Sequence, residues 1–244
     1  MANKSVGPFA QRVFLAFESA ADSFNRSKVR VVGTPIRKAF LEGIQQSRGK
    51  SGPVHLLIFG GSQGAKAINA AVVEGLPELM TKIPHLTVTH QTGESDHARV
   101  AEAYRRAGIE SQVTPFLYDM PAALREADLV VARAGAMTVA ELTACGKPAI
   151  LIPLPSAIYD HQTKNARVME AAGAAVVVPQ SALTGSMLVR TVASVLRDPE
   201  RLRAMGAASL SMRRIDAAEV IVRECYALMG GHHDVNQSVG AAGV

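Results

Sequence analysis

Three stretches of this chain place small and polar residues where an apolar run gives way to a helical pattern, and each could hold part of an anionic, hydroxyl-rich ligand. In the first, Val54 to Phe59 runs into Gly60-Gly61-Ser62-Gln63-Gly64-Ala65-Lys66, and Ile68, Val72 and Leu76 then recur at helical spacing. Glycines let a backbone approach a ligand closely, free N–H groups and the helix dipole favour an anion, and Ser62 adds a hydroxyl. The turn matches neither G-x-x-x-x-G-K-[ST], because Ala65 stands at the second glycine, nor G-x-G-x-x-G. Alone, it reads equally well as a tight turn without a ligand.

The second stretch, Arg133-Ala134-Gly135-Ala136-Met137-Thr138-Val139-Ala140-Glu141, repeats that logic. Backbone N–H groups at Ala136 to Thr138 suit a phosphate, and Glu141, one turn into the helix, suits two ribose hydroxyls. Thr138 followed three residues later by Glu141 also fits a capping box. The third, Asp160-His161-Gln162-Thr163-Lys164-Asn165, opens a helix with paired donors and acceptors suited to sugar hydroxyls, or with a simple N-cap. His90-Gln91-Thr92-Gly93 and Phe116-Leu117-Tyr118-Asp119 end two further strands. Singly, each of the five reads as local structure; together, on one sheet edge, they point to a nucleotide-sugar pocket.

The elements that must position them alternate regularly. Strands are expected at Val54 to Phe59, Leu86 to His90, Gln112 to Phe116, Leu129 to Ala132, Ala149 to Ile152 and Ala174 to Val178. Helices are expected between them, near Ala65 to Leu79, Asp96 to Ala107, Pro121 to Glu126, Thr138 to Ala144 and Gln162 to Ala172. Gly108, Gly146 and Gly173 stand where a helix-ending glycine belongs, and Asp119 can cap the helix that Met120 and Pro121 begin. Near-continuous apolar strands separated by helices imply an α/β domain with a doubly wound parallel sheet, in which ligands bind beyond the strands' carboxyl ends. Three more helical patterns follow, around Leu188 to Val195, from Pro199, and from Ala218 to Leu228.

Before Val54 the pattern is irregular. Val13 to Phe17 and Val29 to Val32 are strand-like and have no local partner, and Gln46 to Pro53 reads as a linker. Residues 1–53 carry nine Lys/Arg against three Asp/Glu, so the net charge of +5 is an N-terminal property; it suits an anionic partner such as a phospholipid surface or a nucleotide, and reads more simply as a solvated linker. No basic helix with interleaved aromatics points to nucleic acid. Both cysteines, Cys145 and Cys225, sit in apolar helical patterns as small core residues, a usage that suits a reducing compartment. No apolar run approaches the ~18 residues of a membrane span, and no signal peptide opens the chain, so the expected location is the cytoplasm. No pair of His residues at metal-ligand spacing, Cys-x-x-Cys, G-x-S-x-G or Asp-x-Asp pattern is present, and no metal or cofactor is implied.

From about Asn3 to Leu228, the Gly60 to Ala65, His90 to Gly93, Arg133 to Glu141 and Asp160 to Ala166 motifs together resemble the carboxyl-terminal half of the MurG family, in glycosyltransferase family 28. The resemblance implies the donor-binding, Rossmann-like half of a GT-B fold and transfer of N-acetylglucosamine from UDP-N-acetylglucosamine to lipid I, making lipid II with inversion. Arg37 and Ser62 would face the donor, Leu117 would meet uracil, and Glu141 would hold the ribose. The run Ala136, Met137, Thr138, Val139 and Ala140 would line the donor, with Ala136 to Thr138 over the diphosphate, and Gln162 would contact the sugar. Residues 1–53 would then be a remnant of the amino-terminal domain plus a linker, 54–229 the UDP-sugar domain and 230–244 a disordered tail. The acceptor loops and the catalytic base belong to a domain expected outside this chain or on a partner subunit. Without them the chain would bind donor and not complete transfer. The family's membrane patch implies peripheral association with the cytoplasmic face of the inner membrane. A donor-binding subunit of a split glycosyltransferase and a non-catalytic nucleotide-sugar module are the alternatives.

Overall fold

A computed structural model describes residues 5–42, 53–61, 64–155 and 160–230. The expected tail after Gly230 and most of the expected linker lie outside the described residues. The described parts divide into two compact units, one from Met1–Ile36 and Arg214–Val244 and one from Arg37–Arg213.

The larger unit is built on six parallel strands. These are β3 (His55–Phe59), β4 (Thr87–Gln91), β5 (Glu110–Thr114), β6 (Leu129–Ala132), β7 (Ala149–Leu151) and β8 (Ala175–Val177), in the order β5-β4-β3-β6-β7-β8. The central strands β6 and β7 are buried throughout, which explains their continuous apolar composition. The helices between strands are α1 (Lys66–Lys82), α2 (His97–Ala107), α3 (Met120–Glu126), α4 (Ala136–Ala144) and α5 (His161–Ala171), and α6 (Gly185–Leu196) and α7 (Pro199–Ser211) follow the sheet. Leu56, Ile58, Ile68, Val72, Leu76, Val88, Val100 and Tyr104 join Leu188, Val192 and Val195 in one core. Gly108, Gly146 and Gly173 close their helices with positive φ, and the Asp119 carboxylate accepts from the Ala122 amide at 3.0 Å.

The order of strands fixes where a ligand can enter. From β3 the chain steps outward through β4 to β5, then returns to lay β6 on the other side of β3 and continues to β7 and β8. The direction of winding therefore reverses between β3 and β6. Helices leaving those two strands depart to opposite sides and open a crevice at their carboxyl ends.

The smaller unit holds β1 (Val13–Leu15) and β2 (Val29–Val31) together with α8 (Ala217–Leu228). The two front runs are not unpartnered, as their sequence suggested: they pair with each other in parallel, Val13 with Val29 and Leu15 with Val31. The connection between them is made of 3₁₀ turns, whose short period gives no helical apolar stripe to read. Arg12 Nε donates to Glu224 Oε2 at 3.0 Å, tying α8 to the start of β1. Cys225, expected in a core, is exposed on α8, alongside exposed Val222 and Leu228. Cys145 is buried as expected, its thiol donating to the Phe40 carbonyl at 3.3 Å. No helix among the described residues is long and apolar enough to cross a membrane.

Candidate functional site

A cavity of about 570 Å³ opens at the crevice between β3 and β6, lined by Gly60, Gly61, Gly64 to Ala67, Arg133, Leu154, Gln162 and Gln180. Three of the five stretches singled out from the sequence meet there. Ser62 lies outside the described residues. Helices α1, α4 and α5 begin at this edge, and none is capped by the side chain of its N-cap residue Ala65, Gly135 or Asp160. Elsewhere α3, α6 and α7 are capped by Asp119, Thr184 and Asp198, while α2 and α8, which follow Asp96 and Asp216, also have no side-chain cap. Three helix starts at one edge turn the positive ends of their dipoles towards the crevice.

The Gly60 turn is held from behind by a buried polar network. Asn69, in the second turn of α1, donates through Nδ2 to the Thr92 carbonyl at 2.9 Å and to Asp96 Oδ2 at 2.8 Å. Its Oδ1 therefore accepts from His90 Nε2 at 3.0 Å, which leaves His90 Nδ1 to accept from the Tyr104 hydroxyl at 3.2 Å. Burial in this neutral network lowers the His90 pKa to about 3, with the Asp96 charge opposing it. Gln91 bridges the ends of three strands, accepting from the Gly60 amide at 3.3 Å and donating to the Pro115 carbonyl at 3.0 Å. His90 to Thr92 are thus buried supports of the turn and do not line the cavity. Gly64 has φ +72°, and a Cβ there would stand 2.0 Å from the Thr92 carbonyl oxygen, so the turn packs directly on this support.

Gln162 joins the loops after β6 and β7. Its Oε1 accepts from the Ala134 amide at 3.2 Å and the Leu154 amide at 2.9 Å, while Asn165 Nδ2 donates to the Ala134 carbonyl at 3.1 Å. Two side chains one turn apart on the same face of α5 therefore hold both backbone groups of Ala134. With its oxygen engaged, Gln162 presents its NH₂ donors to a ligand. Arg133 is buried, and its guanidinium donates to the Ile152 carbonyl at 3.0 Å and to Gln180 Oε1 at 2.7 Å. Burial draws its pKa below the ordinary guanidinium value.

Other expected contacts form two groups outside the cavity lining. Glu141 and Arg37 lie within each other's field: burial raises the Glu141 pKa and the Arg37 charge opposes part of the rise. Arg37 also stands over the Phe40 ring, 5.2 Å from its centroid. The capping-box alternative for Glu141 is overturned, because α4 begins at Ala136 with Gly135 as N-cap, and Thr138 lies inside the helix. Ala136 and Met137 are exposed at that helix start, whereas the Val139 side chain is in the core. Leu117 is half-buried at the end of β5 between Phe116 and Tyr118, whose rings pack edge to face at 5.1 Å. Asp160 has φ 38° and makes no cap hydrogen bond, so the N-cap alternative for this helix fails too. Sequence reasoning did not single out Lys66, Leu154 or Gln180 as ligand-facing. Lys66 closes the first motif and was legible there, but only tertiary pairing with Arg133 marks Gln180.

Residues 55–221 match the model of the glycosyltransferase family 28 C-terminal domain. The UDP-N-acetylglucosamine–N-acetylmuramyl-(pentapeptide) pyrophosphoryl-undecaprenol N-acetylglucosamine transferase of Syntrophus aciditrophicus is 44% identical, over 94% of this chain and 63% of its own length. The protein of the same name from Geobacter metallireducens is 42% identical, over 91% of this chain and 62% of its own. The crystal structure of Acinetobacter baumannii MurG superposes with a TM-score of 0.74 at 31% identity, covering 92% of this chain and 63% of that one. The chain thus spans less than two thirds of each of these relatives.

Proposed function

The chain belongs to glycosyltransferase family 28, and we propose that it supplies the donor half of a peptidoglycan transferase, holding UDP-N-acetylglucosamine while its sugar passes to lipid I to form lipid II. The observation that carries this reading is the cavity at the winding switch, where the Gly60 turn, Arg133 and Gln162 converge beside three uncapped helix starts. In this reading the larger unit, residues 37–213, carries the donor site of the expected 54–229 domain.

The roles follow from the chemistry of each group. First-turn amides at Ala136 to Thr138 face the diphosphate, the Glu141 carboxylate accepts from ribose hydroxyls with Arg37 beside it, the Leu117 backbone meets uracil, and the Gln162 NH₂ meets the sugar. Transfer forms a bond from the acceptor hydroxyl to the anomeric carbon, with inversion, as the bond to the diphosphate breaks and UDP leaves with the electron pair. Helix ends and cationic groups around the diphosphate stabilise that developing negative charge. The acceptor's proton goes to a base outside these 244 residues, in an acceptor domain or partner subunit that also provides peripheral contact with the cytoplasmic membrane face.

Calorimetric titration with UDP-N-acetylglucosamine, UDP and ADP tests the reading. Saturable binding of both uridine ligands with weaker ADP binding is expected; equal affinity for ADP and UDP, or no binding, contradicts it. A radiolabel assay with lipid I and this chain alone should give no more transfer than a Glu141→Ala control.

A further inference from the structure

Among the described residues, Arg133, directly after β6, carries a charge that no carboxylate neutralises. Its side chain is 9% exposed, yet both acceptors it meets, the Ile152 carbonyl and Gln180 Oε1, are neutral. Among the described residues no carboxylate pairs with it, and none of those lining the cavity is acidic. Removing a guanidinium from water costs several kcal/mol, and proteins ordinarily offset that with a carboxylate. Where the pairing is withheld at the wall of a cavity, the missing counter-charge is one that a ligand brings.

Gln180 has the acceptor geometry that a glutamate would have, without the charge. It sits on the 3₁₀ turn Gln180–Ala182 just after β8, and its 2.7 Å bond reaches across the end of β7 to the guanidinium. A carboxylate at this position would hold Arg133 equally well and cancel it. We propose that Arg133 is the counter-charge for the phosphoryl groups of a nucleoside diphosphate in this cavity, and that Gln180 is a positioning residue whose neutral amide fixes the guanidinium while leaving its charge to the ligand. This rests on the nucleotide-sugar reading above and adds to it a residue outside the motifs from which that reading was drawn.

The test compares Gln180→Glu with the wild type, using UDP, uridine and inorganic pyrophosphate in calorimetry and thermal melting of the free chain. Gln180→Glu should melt no lower than the wild type, because its oxygen still accepts from Arg133. Its affinity for UDP and for pyrophosphate should fall about tenfold, with uridine affinity unchanged, since a charge-assisted contact of this kind carries about that factor. Gln180→Met, close in size but without the acceptor, should lose UDP affinity as well and serves if the charged variant fails to fold. Wild-type UDP affinity in either folded variant overturns the assignment, as does a wild type that binds UDP no better than uridine. Pyrophosphate separates the two claims: binding that Gln180→Glu weakens supports the anion site even where uridine does not bind, and that pattern would fault the nucleotide reading alone.

Discussion

Gln162 and Ala134 are locked to each other across two connecting loops: the Gln162 side-chain oxygen takes the Ala134 amide at 3.2 Å and takes Leu154 in the same grip. The oxygen is structural and the NH₂ is free for a ligand, so the two halves of one side chain separate by mutation. Gln162→Glu should keep thermal stability and lose the affinity difference between UDP-N-acetylglucosamine and UDP. Gln162→Ala should also cost about 1–3 kcal/mol of stability in denaturant titration, by leaving two amides unsatisfied.

The Gly60 turn predicts two unequal glycine substitutions. At Gly64 a methyl group meets the Thr92 carbonyl at 2.0 Å in addition to its φ of +72°; at Gly61, with φ +93°, a methyl group meets nothing within 4 Å. Gly61→Ala should therefore cost only the backbone strain, about 1–2 kcal/mol. Gly64→Ala should cost clearly more and shift the turn itself. Urea midpoints for the two variants give the comparison, and equal losses would contradict this packing.

His90 makes acid stability predictable in sign. Its folded pKa of about 3 lies below the ordinary value of 6.5, so between those values the unfolded chain binds a proton that the native chain does not. Stability from this group is intact above pH 6.5 and is lost as pH falls, at up to about 1.4 kcal/mol per pH unit. His90→Gln should lower stability at pH 7 and flatten the decline between pH 6.5 and 4, followed by urea unfolding at each pH.

Glu141 titrates in the opposite sense. Its folded pKa is raised by burial, so the native chain holds the proton in a window just above the ordinary carboxylate range, and stability falls as pH rises through that window. A ribose needs the ionised form as acceptor, so UDP affinity should rise with pH over the same window. Glu141→Ala should weaken UDP by about 1–3 kcal/mol and abolish the dependence, as read by calorimetry across pH.

The sheet was legible because its buried strands are apolar and their helices end in glycine. β6 lies at Leu129–Ala132, where its composition places it, and β3, β4, β7 and β8 differ by a residue or two at their ends. The edge strand β5 is displaced to Glu110–Thr114 because its face is polar and half-exposed, so that pairing with Thr87–Gln91 sets its position, not apolar content. The β1–β2 pair, the Asn69–His90 support and the Arg133–Gln180 bond were hidden for one reason. Each joins residues distant in sequence through polar or backbone groups, which leave no periodic pattern. Cys225 misled because its helix has an apolar stripe that stays exposed.

If the chain holds a nucleotide sugar, UDP binds at the crevice between β3 and β6. Titrating the ¹⁵N-labelled chain with UDP while following amide resonances locates the ligand without reference to activity. Shifts should concentrate on Gly60, Gly61, Ala134 to Thr138 and Leu154, with Glu141 and Leu117 following. Shifts confined to the opposite end of the sheet, around His85, Leu86 and Ile109, or none at saturating UDP, would contradict it.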